Sequence, residues 1–245
     1  MNNKIIEIKN LKKSFNDSHI LDNISFNINK GEIICIIGTS GCGKSTLLNI
    51  ISGLDDDYEG NIKYYFDKNN IGYMLQEPAL FPWLSIKKNA LIGANIKKLN
   101  KENDISHLLK KYKLEEHNND YPDKISGGMK QRVALIRTIS LNPELLLLDE
   151  PFAALDYQTR LNIEKDVYSI IKENNLTAII ITHDLSEAIS LADKVIVLSN
   201  KPSHIKNIYD INLDDKKDPI SNRKDKNFTY YYELLGKDLD LFENK

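Results

Sequence analysis

The sequence predicts an α/β protein with a mostly parallel β-sheet at its core. Short apolar runs recur along the chain and are continuous rather than alternating, which is typical of strands buried on both faces. Segments with helical periodicity lie between these runs, and that alternation predicts helices on both sides of the sheet. One run leads through a glycine-rich turn into a helix, and this junction is where we expect a functional site.

The elements follow one another in a simple order. The strand-like runs fall at residues 5–8, 24–28, 33–37, 71–75, 145–148, 178–182 and 194–198. Helical periodicity is clearest at 46–52, 127–140, 156–174 and 185–191. Because residues 85–140 hold no strand-like run, we expect them to form a helical subdomain inserted between core segments 1–84 and 141–215 of a single domain. A strand at 205–213 and an amphipathic helix at 228–241 are expected near the end, with a short tail from 216 to 245.

The composition suits one large cytosolic domain. The chain has 245 residues, of which 41% are hydrophobic, so a sizeable core is possible. Its 33 basic and 35 acidic residues are well mixed and give a formal net charge of -2, which argues against a nucleic-acid partner. No apolar run approaches the roughly 18–20 residues that span a bilayer. The first residues are too polar for a secretory signal, so we expect a cytosolic chain.

The two cysteines lie close to the glycine-rich turn, one in the preceding strand and one in the turn itself. A disulfide between Cys35 and Cys42 would distort the turn, so we expect two free thiols. Cys42 has two interpretations. It is either a small residue that the turn tolerates, or a reactive thiol whose pKa is lowered by Lys44 and by a helix N-terminus.

The glycine-rich segment itself matches the phosphate-binding pattern G-x-x-x-x-G-K-[ST]. A strand, a turn and a helix N-terminus together form an anion site, because backbone N–H groups point inward and glycine allows close approach. Lys44 would reach the β- and γ-phosphates of a nucleotide, and the Ser45 hydroxyl would bind Mg²⁺. The predicted nucleotide-binding residues are Gly38, Thr39, Ser40, Gly41, Cys42, Gly43, Lys44, Ser45 and Thr46.

Two acidic residues end the leucine-rich run at 145–148. In α/β sheets, ligands bind at the carboxyl ends of the strands. We therefore expect Asp149 to hold Mg²⁺, and Glu150 to face the γ-phosphate and polarise the attacking water as a general base. The competing interpretation is a pair of solvated acids after a strand, and the phosphate-binding loop upstream argues against it.

A second candidate anion site lies at Ser126-Gly127-Gly128. Ser126 is a natural N-cap, and the two glycines leave the first N–H groups of the next helix bare. Taken alone, this pattern is weak, since most such sequences are ordinary turns. Its position between the phosphate-binding loop and the acidic pair favours an anion site over an ordinary turn.

At this point the chain resembles the ATP-binding-cassette (ABC) ATPases. The motifs that carry the resemblance are, in order, the loop 38–45, Gln76, Ser126-Gly127-Gly128, Asp149-Glu150, Ala154-Leu155-Asp156 and His183. The resemblance covers about residues 4 to 200. The resemblance implies a P-loop NTPase (RecA-like) core with an antiparallel β region, and hydrolysis of ATP with Mg²⁺. It also implies a head-to-tail dimer in which the phosphate-binding loop of one copy faces Ser126 and its two glycines of the other.

The same resemblance implies roles for the remaining residues. Gln76 would sense Mg²⁺ and the γ-phosphate, His183 would contact the γ-phosphate, Asp156 would cross the dimer, and Phe15 would stack on adenine. A structural histidine at 183 and plain core packing of Phe15 are the competing interpretations. The implied catalytic residues are thus Lys44, Gln76, Glu150 and His183, and the implied metal ligands are Ser45, Gln76 and Asp149. Ile125 and Met129 depart from the commonest signature residues but leave the serine and glycines in place.

The segment after Gln76 indicates which kind of cassette this is. Leu80, Phe81 and Trp83 are apolar, and physical reasoning alone leaves open whether they pack on the core or meet a partner. The segment 76–85 is similar to that of importers in the nitrate, sulfonate and taurine group. This implies a separate membrane permease, an indirect link to a substrate-binding protein, and a place on the inner face of the cell membrane. The alternative is a soluble ABC ATPase without a transport role, in cluster assembly or nucleic-acid maintenance.

Overall fold

The structure is a computed structural model that describes residues 3–16, 18–153, 155–214 and 216–241. Its strands are β1 (Lys4–Phe15), β2 (Ser18–Asn29), β3 (Ile33–Ile37), β4 (Glu59–Tyr64), β5 (Ile71–Met74), β6 (Leu145–Asp149), β7 (Thr177–Ile181), β8 (Lys194–Leu198) and β9 (Ile205–Asp210). Its helices are α1 (Lys44–Ser52), α2 (Ile86–Ile96), α3 (Glu102–Lys111), α4 (Gly127–Ile139), α5 (Tyr157–Glu173), α6 (Leu185–Leu191), α7 (Pro219–Asn222) and α8 (Phe228–Asp238).

Two sheets carry the fold. The larger has the order β5-β6-β7-β3-β8-β9, in which every neighbouring pair is parallel except the last, β8 with β9. The smaller sheet, β2-β1-β4, is antiparallel. The predicted α/β fold, a mostly parallel core with an antiparallel region, is therefore confirmed.

The strand order decides where a functional site can form. Since β5, β6, β7 and β3 run in the same direction, the segments that follow them all emerge at one edge of the sheet. Those segments contain Gln76, Glu150, His183 and the glycine-rich loop, although they are far apart in the sequence. Parallel pairing therefore gathers these motifs at a common edge.

The central strands are buried on both faces. Every residue of β3, β6 and β7 is buried, and their side chains alternate between two apolar clusters. In β3, Cys35 belongs to the cluster that packs against the longer helices, whereas Ile34 and Ile36 belong to the cluster beneath α1 and the antiparallel sheet. This double burial explains why the runs in the sequence are continuous rather than alternating.

The antiparallel sheet was predicted less well. β1 and β2 each span 12 residues, whereas only their most apolar parts, 5–8 and 24–28, were predicted. β4 was missed altogether. Most of its residues are exposed and it pairs with β1 on one side only, so its sequence lacks a buried apolar face. Polar edge strands of this kind give little sequence signal.

Helices fill the interval between β5 and β6. Within the described residues, α2, α3 and α4 lie there, and the turns between them include short 3₁₀ segments at Glu115–His117 and Pro122–Lys124. Near the C-terminus, β9 and α8 are shorter than predicted, ending at Asp210 and Asp238. Of the helices described, none combines the length and apolar character needed to cross a membrane.

Candidate functional site

A pocket with a volume of about 390 Å³ lies at the carboxyl edge of the large sheet. Its floor is the glycine-rich loop and the start of α1, through Ser40, Gly41, Gly43, Lys44, Ser45 and Thr46. Phe15, Ile20, Gln76, Glu150 and Lys201 complete its lining. The remaining predicted loop residues, Gly38, Thr39 and Cys42, are not among the lining residues, although the carbonyl oxygens of Gly38 and Thr39 accept hydrogen bonds from Lys44.

The backbone of the loop requires its glycines. Gly41 and Gly43 have φ values of 75° and 110°, in the left-handed region that other residues seldom adopt. At Gly43 a Cβ atom would also lie 2.9 Å from Cγ2 of Ile20. At Gly38 it would lie 2.8 Å from the sulfur of Cys42. The sharp turn and close packing of the loop therefore require glycine at these three positions.

The lysine of the loop is folded inward. Lys44 is only 5% exposed, and its Nζ donates to the carbonyl oxygens of Gly38 and Thr39 at 2.9 and 3.0 Å. No side chain caps the N-terminus of α1, so its first N–H groups are free to bind an anion. The loop thus surrounds a fixed positive charge at a helix N-terminus, which is the electrostatic arrangement that a phosphate group needs.

Asp149 is placed beside Ser45. It is 8% exposed, accepts a hydrogen bond from the Ser45 hydroxyl, and lies 3.5 Å from the Tyr73 hydroxyl. Burial raises the pKa of Asp149, and the charge of Glu150 raises it further, although the bonds from Ser45 and Tyr73 act in the opposite direction. A nearby cation would favour the ionised form of this buried carboxylate, because it offsets the cost of burying the charge.

The donor set at this point is suited to a hard cation. Asp149 and Ser45 offer oxygen ligands, which Mg²⁺ prefers, and Mg²⁺ commonly takes its other ligands from phosphates and water. In the part of the chain that the structure describes, no three His, Cys, Asp or Glu side chains form a metal cluster. A metal ion here would therefore depend on the bound nucleotide for much of its coordination.

Glu150 and His183 meet at the end of the central strands. Oε2 of Glu150 lies 3.3 Å from Nδ1 of His183, whose side chain is 61% exposed. The Glu150 backbone has a φ of 43° and donates its N–H to the carbonyl of Ile181 at 3.0 Å. A non-glycine residue held at positive φ is strained, and such strain concentrates at functional sites. His183 is therefore a surface side chain beside an acid, and not a buried structural histidine.

Gln76 is exposed at the pocket and linked by its backbone to α4. Its carbonyl oxygen accepts from Nε2 of the buried Gln131 at 3.2 Å. The residues that follow are held similarly, since the Arg137 guanidinium donates to the carbonyls of Pro78 and Ala79 at 2.7 and 2.8 Å. Hydrogen bonds from α4 thus hold the segment between β5 and α2 against that helix.

The apolar residues in this segment divide into two groups. Leu80 packs against the main core, but Trp83 is 70% exposed and Phe81 is half-buried. The two rings lie 5.4 Å apart, and the fully buried Asn89 holds Phe81 through bonds to both its N–H and its carbonyl oxygen. The sequence left open whether these residues pack on the core or face outward. Within one chain, Leu80 packs on the core, whereas the Phe81–Trp83 pair forms an aromatic surface that Asn89 holds in place.

Ser126, Gly127 and Gly128 begin α4 away from this pocket. The Ser126 Oγ accepts from the Met129 N–H at 3.4 Å, and both Ser126 and Gly127 are exposed. A Cβ at Gly127 would meet no atom within 4 Å, whereas one at Gly128 would lie 2.7 Å from Cγ2 of Thr159. Among the described residues that line the pocket, none comes from this turn. In a single chain the two candidate anion sites are therefore separate.

Asp156 and Ala154 were singled out with the same motifs. Asp156 is exposed, and its carboxylate caps α5 by accepting from the Thr159 N–H at 3.0 Å, a bond that lowers its pKa. Ala154 lies outside the described residues. Both cysteines are free and buried, so Cys42 is a packed side chain of the loop with little access to reagents.

Phe15 lies at the mouth of the pocket with 49% of its surface exposed, and so is not part of the core. Nζ of Lys13 lies 4.6 Å from the centre of its ring. Lys13 is itself buried and paired with Asp55 at 2.9 Å and Asp57 at 3.3 Å. Burial acts to lower the pKa of Lys13, but the two carboxylates outweigh it and raise the pKa. Sequence reasoning missed Lys13, although alternation along β1 puts residues 13 and 15 on one face.

Comparisons with known proteins agree with this geometry. The family model described as ABC transporter matches residues 21–153. The ABC transporter ATP-binding protein YtlC of Bacillus subtilis is 41% identical, over 91% of this chain and 89% of its own. The aliphatic sulfonates import ATP-binding protein SsuB of Bacillus anthracis is 37% identical, over 92% of this chain and 89% of its own.

Solved structures give the same result. A dimeric post-hydrolysis structure of the ATP-binding cassette MJ0796, bound to ADP and Pi, matches with a TM-score of 0.72. That cassette is 29% identical, and the match covers 85% of this chain and 99% of MJ0796. With a phosphate-binding loop, an acidic strand end and a nucleotide-sized pocket in place, these similarities show that the chain belongs to the ABC transporter family, as an ATP-binding subunit and ATPase.

Proposed function

We propose that this chain energises an ABC importer, hydrolysing ATP to drive uptake of a small anionic or related solute through a separate permease. The observation that carries the proposal is the Phe81–Trp83 pair, an exposed aromatic surface in the segment that begins at the pocket residue Gln76. Exposed aromatic groups that the fold holds in place are typical of protein–protein contacts. The similarity to SsuB, an aliphatic sulfonates import ATP-binding protein, supports a sulfonate-like solute, and the resemblance of segment 76–85 extends the proposal to nitrate and taurine.

The working form is a head-to-tail dimer of two copies of the chain. Ser126 and Gly127 are exposed and make no part of their own chain's pocket within the described residues, so they are free to approach a second copy. MJ0796, a relative in structure, is dimeric with ADP and Pi bound. In the proposed dimer, the N-terminus of α4 from one copy completes the γ-phosphate site of the other.

Within each site, the residues divide the chemistry among them. The loop N–H groups and Lys44 bind the phosphates, and Phe15 stacks on the adenine ring. Glu150 accepts a proton from the attacking water, while His183, 3.3 Å away, orients that carboxylate and contacts the γ-phosphate. Ser45, Asp149 and Gln76 would hold Mg²⁺, which supplies charge neutralisation at the β- and γ-phosphates.

Residues 85–140 are proposed to act as a helical subdomain that couples the site to the permease. The Gln76 carbonyl bond to Gln131 and the Arg137 bonds to Pro78 and Ala79 support this, because movement of the pocket segment and movement of α4 are linked. The chain would lie on the inner face of the membrane through its permease, and a substrate-binding protein would act on it only indirectly.

The test is assembly with the cognate permease. Replacing both Phe81 and Trp83 by serine should abolish co-purification with the permease, while ATP binding by the isolated chain stays within about twofold of wild type. Tyr230→Ser is the matched control, since Tyr230 is 62% exposed and lies on α8. If the double variant assembles as well as wild type, the aromatic pair is not the docking surface.

A further inference from the structure

Lys201 is a cation of the nucleotide pocket that no sequence motif indicated. It lines the pocket together with Phe15, Ile20 and Gly41, yet it lies more than 150 residues after the glycine-rich loop. Its side chain is exposed, and among the described residues it has no ion pair with a carboxylate. An ammonium group without a carboxylate partner in a nucleotide-sized pocket can bind an anionic ligand group.

The segment that carries Lys201 is fixed to the loop. The Thr39 hydroxyl donates to Oδ1 of Asn200 at 2.6 Å. On the other side of Lys201, the fully buried Ser203 donates its hydroxyl to the carbonyl oxygen of Cys42. Two anchors on the phosphate-binding loop therefore flank the lysine, so its backbone keeps a constant position relative to bound phosphate.

A third anchor ties the segment that carries Lys201 to β2, the strand paired with the one that carries Phe15. The Ser203 N–H donates to the carbonyl of Ile20 at 2.8 Å, and the Asp22 N–H donates to the Ser203 carbonyl at 2.8 Å. Ile20 lies on β2, which pairs with the strand β1 that carries Phe15, and both residues line the pocket. Lys201 is thus held between this strand pair and the loop.

We propose that Lys201 binds the α-phosphate of the nucleotide and is a second cationic ligand, complementary to Lys44. The position at the aromatic side of the loop favours the phosphate nearest the nucleoside. ATP and ADP both carry that phosphate, so Lys201 strengthens binding of both to the same extent. This inference rests on nucleotide binding by the family and on the proposed stacking of adenine on Phe15, and it is independent of the proposed permease and of any solute.

The test uses the purified chain without a permease and compares Lys201→Gln with wild type by titration calorimetry. Affinity for ADP, and for ATP in a Glu150→Gln background, should fall about tenfold in both cases, the scale of one charge-assisted hydrogen bond. Lys201→Arg should restore most of the loss. The loss should shrink when salt is raised from about 50 mM to about 500 mM, since salt screens the contact.

The matched control is Lys224→Gln, which changes the net charge equally at an exposed residue after α7, outside the pocket. It should bind both nucleotides like wild type, and the thermal midpoint of nucleotide-free Lys201→Gln should equal that of wild type. ADP affinity within twofold of wild type in Lys201→Gln would overturn the proposal. A loss confined to ATP would also overturn it, because the charge would then act at the γ-phosphate.

Discussion

Two helix N-termini in this molecule have similar chemistry and opposite surroundings. α1 and α4 both begin after or at a glycine, and neither has an acid in its first turn. The start of α1 is enclosed by its own loop, with the ammonium group of Lys44 bound inside. The start of α4 is exposed, with only Ser126 as its cap. The first can hold a phosphate within one chain, whereas the second needs another molecule to bring the anion.

The largest expected effect comes from disabling the enclosed site while leaving it able to bind. Glu150→Gln should lower the rate of ATP hydrolysis by about 10² to 10³-fold, because the amide cannot accept the proton of the attacking water. ATP affinity should stay close to that of wild type, and dimers should accumulate with ATP. Phosphate release, calorimetry and size-exclusion chromatography measure the three effects.

Glu233→Gln is the control for that loss of charge, since Glu233 is exposed on α8. It should hydrolyse ATP like wild type. If Glu150→Gln turns over at the wild-type rate, Glu150 is not the base and the strain at its backbone has another cause.

The exposed helix start can be tested with its two glycines, which differ in surroundings. Gly127→Ala adds a methyl group where no atom lies within 4 Å, so stability and ATP binding by the single chain should not change. Hydrolysis should nevertheless fall about tenfold or more, because in the proposed dimer the methyl group would meet the partner's nucleotide. Thermal unfolding, calorimetry and steady-state turnover check these outcomes.

Gly128→Ala should behave differently. Its Cβ would lie 2.7 Å from Cγ2 of Thr159, so the variant should unfold more easily, by about 1 kcal/mol, through local overpacking. Wild-type turnover in Gly127→Ala would indicate that the α4 N-terminus does not approach the nucleotide, and the contrast between the two sites would then be one of exposure alone.

A smaller effect on nucleotide affinity is expected from Lys13, whose ammonium group lies against the ring of the pocket residue Phe15. Lys13→Met should lower ADP affinity about threefold, because the charge under the Phe15 ring is lost and the ring is held less firmly. The free energy of unfolding should fall by about 1 to 2 kcal/mol, since Asp55 loses its buried partner. Lys12→Met is the control, as Lys12 is half-exposed and pairs with Asp22. Equal behaviour of the two variants in ADP titration and urea unfolding would exclude a special role for Lys13.

The sequence was most informative where burial is complete. The bounds of β3 and β8 were predicted to the residue, because every position of β3 and all but the first of β8 are buried and apolar. The loop residues and the acidic pair could also be singled out from the sequence, since their spacing is local, and their roles stay predictions. β4 was missed because its side chains are mostly exposed.

The place of Lys201 in the pocket could not be predicted from the sequence, for a different reason. It reaches the pocket because β8 pairs with β3, which brings the end of β8 beside the glycine-rich loop. That adjacency is a property of strand order, and no motif around Lys201 encodes it. Gln76, Glu150 and His183 depend on the same strand order, but in their case the resemblance to a family supplied what the local residues did not.

The last prediction concerns stability alone, through an acid that lies between the two regions. Glu187, on α6, accepts from the Thr182 hydroxyl, and Arg160 of α5 lies 3.9 Å from it and 3.5 Å from Asp184. Burial raises the pKa of Glu187 to about 8; Asp184 and Glu164 add to the rise, while Thr182 and Arg160 oppose it. Glu187 follows His183 by four residues in the sequence. Arg160, which approaches Glu187, is the sequence neighbour of Thr159, and Thr159 packs under Gly128.

The raised pKa makes stability depend on pH. Between about pH 4.5 and about pH 8, folded Glu187 keeps a proton that the unfolded chain has lost, so the free energy of unfolding falls as pH rises through that window. Glu187→Gln keeps an acceptor for Thr182 but does not titrate. Relative to wild type it should therefore gain stability as pH rises from 5.5 to 8, at up to about 1.4 kcal/mol per pH unit, since the attraction of Arg160 is already included in the raised pKa. Urea unfolding at the two pH values measures the difference, and parallel pH profiles for variant and wild type would mean that Glu187 is already ionised in the folded protein.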